Sequence, residues 1–361
     1  MVIGQKTIIV VVALVAMIIV AGAAVFVLTS SDKESSGAVT LIDGDDRTIT
    51  ITSSDRIVSL DYSQIENICA IGGYSKLVGV TVNNNNYTYA SPDRILGMSD
   101  DGFPQSVVNG MNNGTIKNLG PNGSVTSETV LSANPDLVIA APHGSSADTV
   151  SQLENMGITV IMCRPNTSLE NFYFNIELMG KAIGKESAAT TVVEQMKSAI
   201  GKIADWTKSI NEVPQIGMFI SFSETGGAWA IGDQFYKGTT LIEMLGGVNA
   251  FSISENYLLT SHEGIIAVNP NIIISGTAYG PIDYIHTDPI LKSLTAVQTE
   301  RVYSFIGLSS SPWSSTSIEF VNAIALVAMF MYEDYLDFEI PHKMGDDYMD
   351  YLNKFWNQIN V

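Results

Sequence analysis

The tightest constraint on this chain is a pattern that it carries twice. Glu128 to Ala140 reads ETVLSANPDLVIA, and Glu263 to Ser275 reads EGIIAVNPNIIIS. Laid over each other, Glu128 falls on Glu263, Asn134-Pro135 on Asn269-Pro270 and Ile139 on Ile274, and the apolar positions between them match in kind. Proline lacks an amide hydrogen and clashes with the turn before it. Each copy therefore ends a short helix and feeds a buried strand. One helix–turn–strand unit met twice, far apart in the chain, predicts two α/β lobes built on one plan.

The length of 361 residues leaves room for two such lobes. Hydrophobic residues make up 46% and charged residues 15%, the balance of a globular chain and not of a disordered one. The net charge of −19, with basic residues sparse and scattered, excludes nucleic acid as a partner, because phosphate binding needs a basic patch. The two cysteines, Cys69 and Cys163, are expected as buried free thiols; in an exported chain they have the alternative of pairing.

Thr7 to Leu28 is an unbroken apolar run, preceded by Lys6 and followed by Asp32, Lys33 and Glu34. Twenty-odd helical residues span a bilayer, and the basic start places the remainder outside the cytoplasm. The run is longer than a usual signal-peptide core, so an uncleaved single-pass anchor is preferred. Cleavage at Ala21-Gly22-Ala23 is the alternative, giving a secreted protein; no cysteine near the end of the run offers lipid attachment. The expected organisation is an anchor or signal over 1–29, a polar tether over 30–38, an N-terminal lobe over 39–167, linker helices over 168–211 and a C-terminal lobe over 212–361.

Within the first lobe, Val39 to Ile42 and Thr48 to Thr52 flank Asp43-Gly44-Asp45-Asp46, a hairpin signal. Strands are expected at Arg56–Leu60, Leu77–Val82 and Thr159–Met162, and helices at Tyr62–Ile71 and Thr149–Met156. The Gly- and Asn-rich stretches Gly110–Gly114 and Gly120–Gly123 read as surface loops. Ser168 to Ile210 reads as helix, capped by Thr167 or Ser168 and broken at Gly184. Its second part is long enough to act as a strut between lobes. In the second lobe, Gln215–Ile220 is a strand and Thr240–Leu245 a helix. Ile318–Leu336 is apolar enough to suggest a second membrane span, but Glu319, Glu333 and Asp334 favour a core helix, and Asp346–Ile359 closes the chain as an amphipathic helix.

The chain lacks G-x-S-x-G, G-x-x-x-x-G-K-[ST], G-x-G-x-x-G and H-E-x-x-H, so no catalytic or nucleotide-binding signature is present. Its four histidines, His143, His262, His286 and His342, are too dispersed to suggest a metal site. Sequons at Asn86, Asn113, Asn122 and Asn166 suit an extracytoplasmic surface. Ligands of open α/β sheets collect beyond the carboxyl ends of strands, which makes Asn83–Tyr89, Pro142–Ser145 and Arg164–Thr167 candidate binding loops. Aromatic residues recur on such loops: Tyr87, Tyr89, Trp229, Tyr236, Tyr257, Tyr279, Tyr284 and Trp313. They suit a large, flat, partly apolar ligand.

Several of these motifs, in their order, resemble the class III periplasmic binding proteins of ABC importers for ferric siderophores, haem and cobalamin. They are Arg56-Ile57-Val58-Ser59-Leu60, Ile71-Gly72-Gly73, Leu77-Val78-Gly79-Val80-Thr81, both glutamate–proline repeats, Gln152 to Val160, Met179 to Gly184 and Leu245 to Ala250. The resemblance covers about residues 39 to 340. It implies two Rossmann-like α/β lobes joined by one long rigid helix, with cargo held in the cleft between them. It implies one permease-docking glutamate per lobe, at Glu128 and Glu263. The expected role is a monomeric, membrane-anchored receptor that performs no covalent chemistry, has no resident cofactor and works with a permease and a separate ATPase. Its cargo would be an iron chelate, haem or cobalamin, contacted by Tyr87, Tyr89, Arg94, His143, Arg164, Trp229, Tyr236, Tyr279 and Trp313. Arg94 and Arg164 are named because relatives place arginine near an iron chelate. The competing readings are a metal-dependent enzyme on the same two-lobed fold and a receptor for free zinc, manganese or an oxyanion. The helical leader departs from the lipid-anchored or free relatives.

Overall fold

A computed structural model describes residues 37–81, 103–121, 123–142, 145–165, 167–223, 227–232, 238–279, 285–305, 317–344 and 347–360. The chain divides into two units, Met1–Gln195 with Thr316–Ile318, and Met196–Ser315 with Glu319–Val361. Each unit is built on its own α/β sheet. The expected anchor at 7–28 lies outside the described residues; among the described residues, no helix is long and apolar enough to cross a membrane.

In the first unit the elements run β1 (Val39–Ile42), β2 (Thr48–Ile51), β3 (Ile57–Ser59), α1 (Tyr62–Ala70), β4 (Leu77–Val80), α2 (Phe103–Asn113), β5 (Lys117–Asn118), α3 (Ser127–Leu131), β6 (Leu137–Ala140), α4 (Ala147–Asn155), β7 (Thr159–Met162) and α5 (Leu169–Ile183). The main sheet has the order β5-β4-β3-β6-β7, and all its pairings are parallel. Its central strands are buried along their whole length, the condition under which parallel strands read as continuous apolar runs. Helix α1 starts at Asp61, whose carboxylate accepts the amides of Ser63 at 3.0 Å and Gln64 at 3.3 Å.

The β1–β2 hairpin forms where the turn signal placed it. Asp43 is fully covered and gathers donors from the amides of Asp45, Arg47 and Met162 and from the Arg47 guanidinium, whose Nη2 lies 2.6 Å away. Arg47 continues to Glu154 at 2.7 Å, so one carboxylate ties the hairpin to β7 and one arginine ties it to α4. Burial alone would raise the Asp43 pKa; hydrogen bonds from Arg47 and the amides outweigh it and hold the carboxyl below its usual range. A Cβ on Gly44 would sit 2.4 Å from the Arg164 amide nitrogen, so only glycine fits this approach.

One expectation fails here. Gly110–Gly114 is expected as a surface loop, but Gly110 lies inside α2. A Cβ there would come 2.6 Å from Ile116 Cδ1, so glycine serves close packing of the strand-side residue and not a turn. Gly120 and Gly123 do adopt the left-handed backbone of a loop, at φ 95° and 75°.

A short return segment completes the first unit. The Ser317 hydroxyl bonds the buried Glu66 carboxylate, and the Ile318 amide donates to Asn67 Oδ1 at 3.1 Å. Both partners lie on α1. The boundary between the units falls inside α6 (Glu186–Ser209), a helix of 24 residues and about 36 Å. Gly184, in the left-handed conformation at φ 73°, separates it from α5 as expected, and Ser168 caps α5.

The second unit contains β8 (Gln215–Ser223), β9 (Gly227–Ile231), α7 (Thr239–Met244), β10 (Val248–Asn249), β11 (Tyr257–Thr260), α8 (His262–Val268), β12 (Ile272–Tyr279), α9 (Thr295–Gln298), β13 (Val302–Ser304), α10 (Phe320–Met331) and α11 (Tyr348–Ile359). The sheet order is β11-β9-β8-β12-β13, with β10 beside β8. Strands β8, β12 and β13 pair in parallel, whereas β9 and β11 run antiparallel at one edge. All twelve residues of α10 are buried, which makes it a core helix, shorter than the 318–336 expected. Amphipathic α11 buries Tyr348, Leu352 and Phe355, and Trp206 meets Phe355 edge-on at 5.1 Å. Cys69 and Cys163 are free and buried, and burial pushes both thiols well above their ordinary pKa.

Candidate functional site

The two copies of the repeat fold on one plan, although α3 ends at Leu131 and α8 runs on to Val268. Thr126 caps α3 by accepting the Thr129 amide at 3.3 Å; Ser261 caps α8 by accepting the Gly264 amide at 3.2 Å. Asn269 caps α8 and Asn134 lies just beyond Ser132, the cap of α3; the two asparagines share a left-handed backbone at φ 48° and 49°, which asparagine tolerates. The prolines come next, and then β6 and β12, each lying between two parallel neighbours.

Glu128 and Glu263 each occupy the second position of their helix, exposed. Both carboxyls are held below the usual range, first by their own backbone amide and then by the capping hydroxyl, Thr126 in one case and Ser261 in the other. Each unit thus presents an exposed carboxylate, held below its usual pKa range, in the first turn of a short helix. Such a pair of points suits recognition by cationic side chains of a partner.

The residue ahead of each glutamate differs. Ser127 is fully buried and donates to Gln152 Oε1 on α4 at 2.7 Å. His262 is 8% exposed, and its Nδ1 lies 3.8 Å from Asp288 Oδ2. Sequence reasoning missed both ties, since each joins residues about 25 positions apart with no local pattern to mark them.

Of the expected cargo-contacting residues, Tyr87, Tyr89, Arg94, His143, Tyr236 and Trp313 lie outside the described residues. Arg164 follows the carboxyl end of β7. Its guanidinium stacks on Phe174, 3.7 Å from the ring centroid, and reaches Asp46 at 3.7 Å. Tyr279 ends β12, which continues past Gly276, where a loop was expected. Trp229 likewise sits in β9 and not in a loop. It is 45% exposed and is paired in register with Leu259 of β11, which is 59% exposed. Register partners share a face, so the two form an apolar platform near the carboxyl end of β8. Leu259 was not singled out in the sequence.

A pocket of about 600 Å³ opens at the amino ends of β8, β12 and β13, lined by Glu212, Glu300, Arg301, Glu333, Asp334 and His342 among others. Arg301 is occupied there by the Met331 carbonyl at 2.9 Å and by Glu212 and Asp334 at 3.7 and 3.6 Å. This is the end of the sheet opposite the one at which α/β folds bind ligands. Among the described residues, no group of three or more His, Cys, Asp or Glu is placed to hold a metal ion.

Comparison with known proteins agrees with this plan. A substrate-binding lipoprotein of an ABC transporter from Bacillus subtilis, itself uncharacterized, is 30% identical over 243 residues, 66% of this chain and 68% of that one. A cobalamin-binding protein of Halobacterium salinarum is 24% identical over 282 residues, 75% of this chain and 69% of the relative. Among solved structures, the apo periplasmic heme-binding protein of Roseiflexus sp. RS-1 superposes with a TM-score of 0.60 at 20% identity, covering 78% of this chain and 99% of that one. The family model described as periplasmic binding protein matches residues 57–305, and the chain belongs to that family.

Proposed function

We propose that this chain is the substrate-binding protein of an ABC importer, capturing cobalamin, haem or a ferric siderophore outside the cytoplasm and delivering it to a permease. The observation that carries this reading is the matched pair Glu128 and Glu263, one per unit, each ionised and exposed at the same position of the same motif. Exposed ion pairs are individually weak, so two such contacts would orient a receptor on its permease more than bind it there. The named relatives support the class: one is a transporter's substrate-binding lipoprotein and another binds cobalamin. The chain itself performs no covalent chemistry, and a separate ATPase supplies the energy, since no phosphate-binding loop occurs in the sequence.

In this reading the lobes comprise 39–167 and 212–361, linked by the helices of 168–211, and the apolar run at 7–28 anchors a monomer to the membrane. Cargo lies over the carboxyl ends of the strands, against Trp229, Tyr279, Arg164 and the loop residues Tyr87, Tyr89, Arg94, His143, Tyr236 and Trp313. The half-exposed Trp229 supplies the assay. Titration with cyanocobalamin, hemin and a ferric hydroxamate is expected to quench tryptophan fluorescence tightly with one of the three. A response only to bare zinc or manganese, or turnover of a substrate, would overturn the cargo assignment. Reversing Glu128 and Glu263 to Arg tests docking separately: uptake is lost while cargo affinity stays.

A further inference from the structure

The two acidic tips are held differently, and the difference points to residues that serve docking without touching the partner. Glu263 follows His262, the first residue of α8. His262 is almost fully covered, so its ring is part of the seat of the helix. Across from it, Asp288 uses one carboxylate oxygen to accept the amides of Ile290 at 2.8 Å and Leu291 at 2.9 Å, which starts the short helical turn Leu291–Ser293. Its other oxygen faces His262 Nδ1 at 3.8 Å. Asp288 is thus fixed by the turn it begins, and it offers a rigid point to the histidine. In the first unit the same place is taken by neutral Ser127 and its bond to Gln152.

We infer that His262 and Asp288 are positioning residues for Glu263: together they fix the direction in which α8 presents its carboxylate to the permease. This inference rests on the docking role proposed above. A helix of seven residues is held mainly by its ends and its neighbours, because so short a segment has little stability of its own. Its cap, Ser261, fixes the backbone of the first turn; the His262–Asp288 contact fixes the rotation of that turn against the following segment. Two carboxylates neighbour the His262 ring: Glu263 is next to it on α8, and Asp288 approaches it from the following segment.

The test uses the full chain with its permease and ATPase in proteoliposomes. Three quantities are measured for each variant: the binding-protein concentration that half-saturates ATPase stimulation, the cargo dissociation constant and the melting temperature. His262→Ala and Asp288→Asn are each expected to raise the half-saturating concentration by about three- to tenfold, with cargo affinity unchanged. The double variant is expected to be no worse than either single one, because the two act as a unit. Asp288→Asn keeps the side-chain volume, so it serves if His262→Ala fails to fold. Unchanged half-saturation in both variants would overturn the inference, as would a shift matched by equal loss of cargo affinity. Glu263→Arg separates the levels. If it leaves docking intact, the docking role itself has failed; if it abolishes docking while both brace variants behave as wild type, only the positioning role has.

Discussion

The α3–β6 segment and the α8–β12 segment are the same device executed with different materials. Both open with a hydroxyl cap, carry a glutamate at the second helical position, pass through a left-handed asparagine and release a buried strand through proline. What surrounds the device is not repeated. Asn134 is held through its backbone, its carbonyl accepting Arg56 Nε at 2.6 Å. Asn269 is held through its side chain, which accepts the Thr295 amide at 2.8 Å and donates to the Thr295 hydroxyl at 2.9 Å. A neutral tie fixes the first helix and an ionisable one the second. The duplicated part is the part that the docking proposal has meet a partner; the supporting contacts differ between the units.

The largest expected effect tests whether the two tips are equivalent in use. Glu128→Arg with Glu263→Arg should lower transport by roughly a hundredfold, because like charges juxtaposed at an interface are strongly unfavourable. The single reversals, compared in the same uptake assay, show whether the tips contribute equally. A double variant that transports normally would break the comparison at its root.

A second test concerns the clamp that Asp43 makes in the first unit. Asp43→Asn should destabilise the first unit by about 2 kcal/mol in urea, since it weakens a buried, multiply donated carboxylate. The pH dependence has a definite sign. The Asp43 carboxyl is depressed in the folded chain, so its contribution is present above the ordinary carboxylate value of about 3.9 and is lost as pH falls through the folded value. Wild-type stability should therefore drop in acid more steeply than that of Asp43→Asn, and parallel curves would refute the assignment.

Smaller effects probe the two asparagines. Glycine satisfies a left-handed stop as well as asparagine does, so Asn134→Gly should be nearly neutral. Asn269→Gly removes two side-chain bonds and should cost about 1–2 kcal/mol in the same denaturation assay. The smallest difference is expected at the caps. Thr126→Ala and Ser261→Ala should each cost about 1 kcal/mol, and by similar amounts, because each hydroxyl accepts one amide of the first turn. A large disparity there would mean that the helices are not seated alike.

How much of this was legible follows the range of the signal. The helix–Asn–Pro–strand units were readable because proline and a left-handed asparagine act within two residues of each other. The hairpin at Asp43–Asp46 and the break at Gly184 were readable for the same local reason. Gly110 misled because glycine has two uses, and the close approach of Ile116 that explains it is a matter of packing. Glycines ahead of Trp229 suggest a loop, yet it is paired on one side with β8 and on the other with β11. The ties Ser127–Gln152 and His262–Asp288 carry no local pattern at all, although each seats the residue just ahead of a glutamate.

The bonds that Ser317 and Ile318 make to Glu66 and Asn67 have a consequence for biosynthesis. A ribosome has emitted the strands and helices of the first unit long before it reaches these two residues, and until then α1 waits without part of its covering. A gene cut at the visible border between the units would deliver a fragment whose interior acid had lost a hydroxyl made late in translation. Splitting or swapping the halves to reprogram cargo would therefore need this short late stretch to travel with the earlier half.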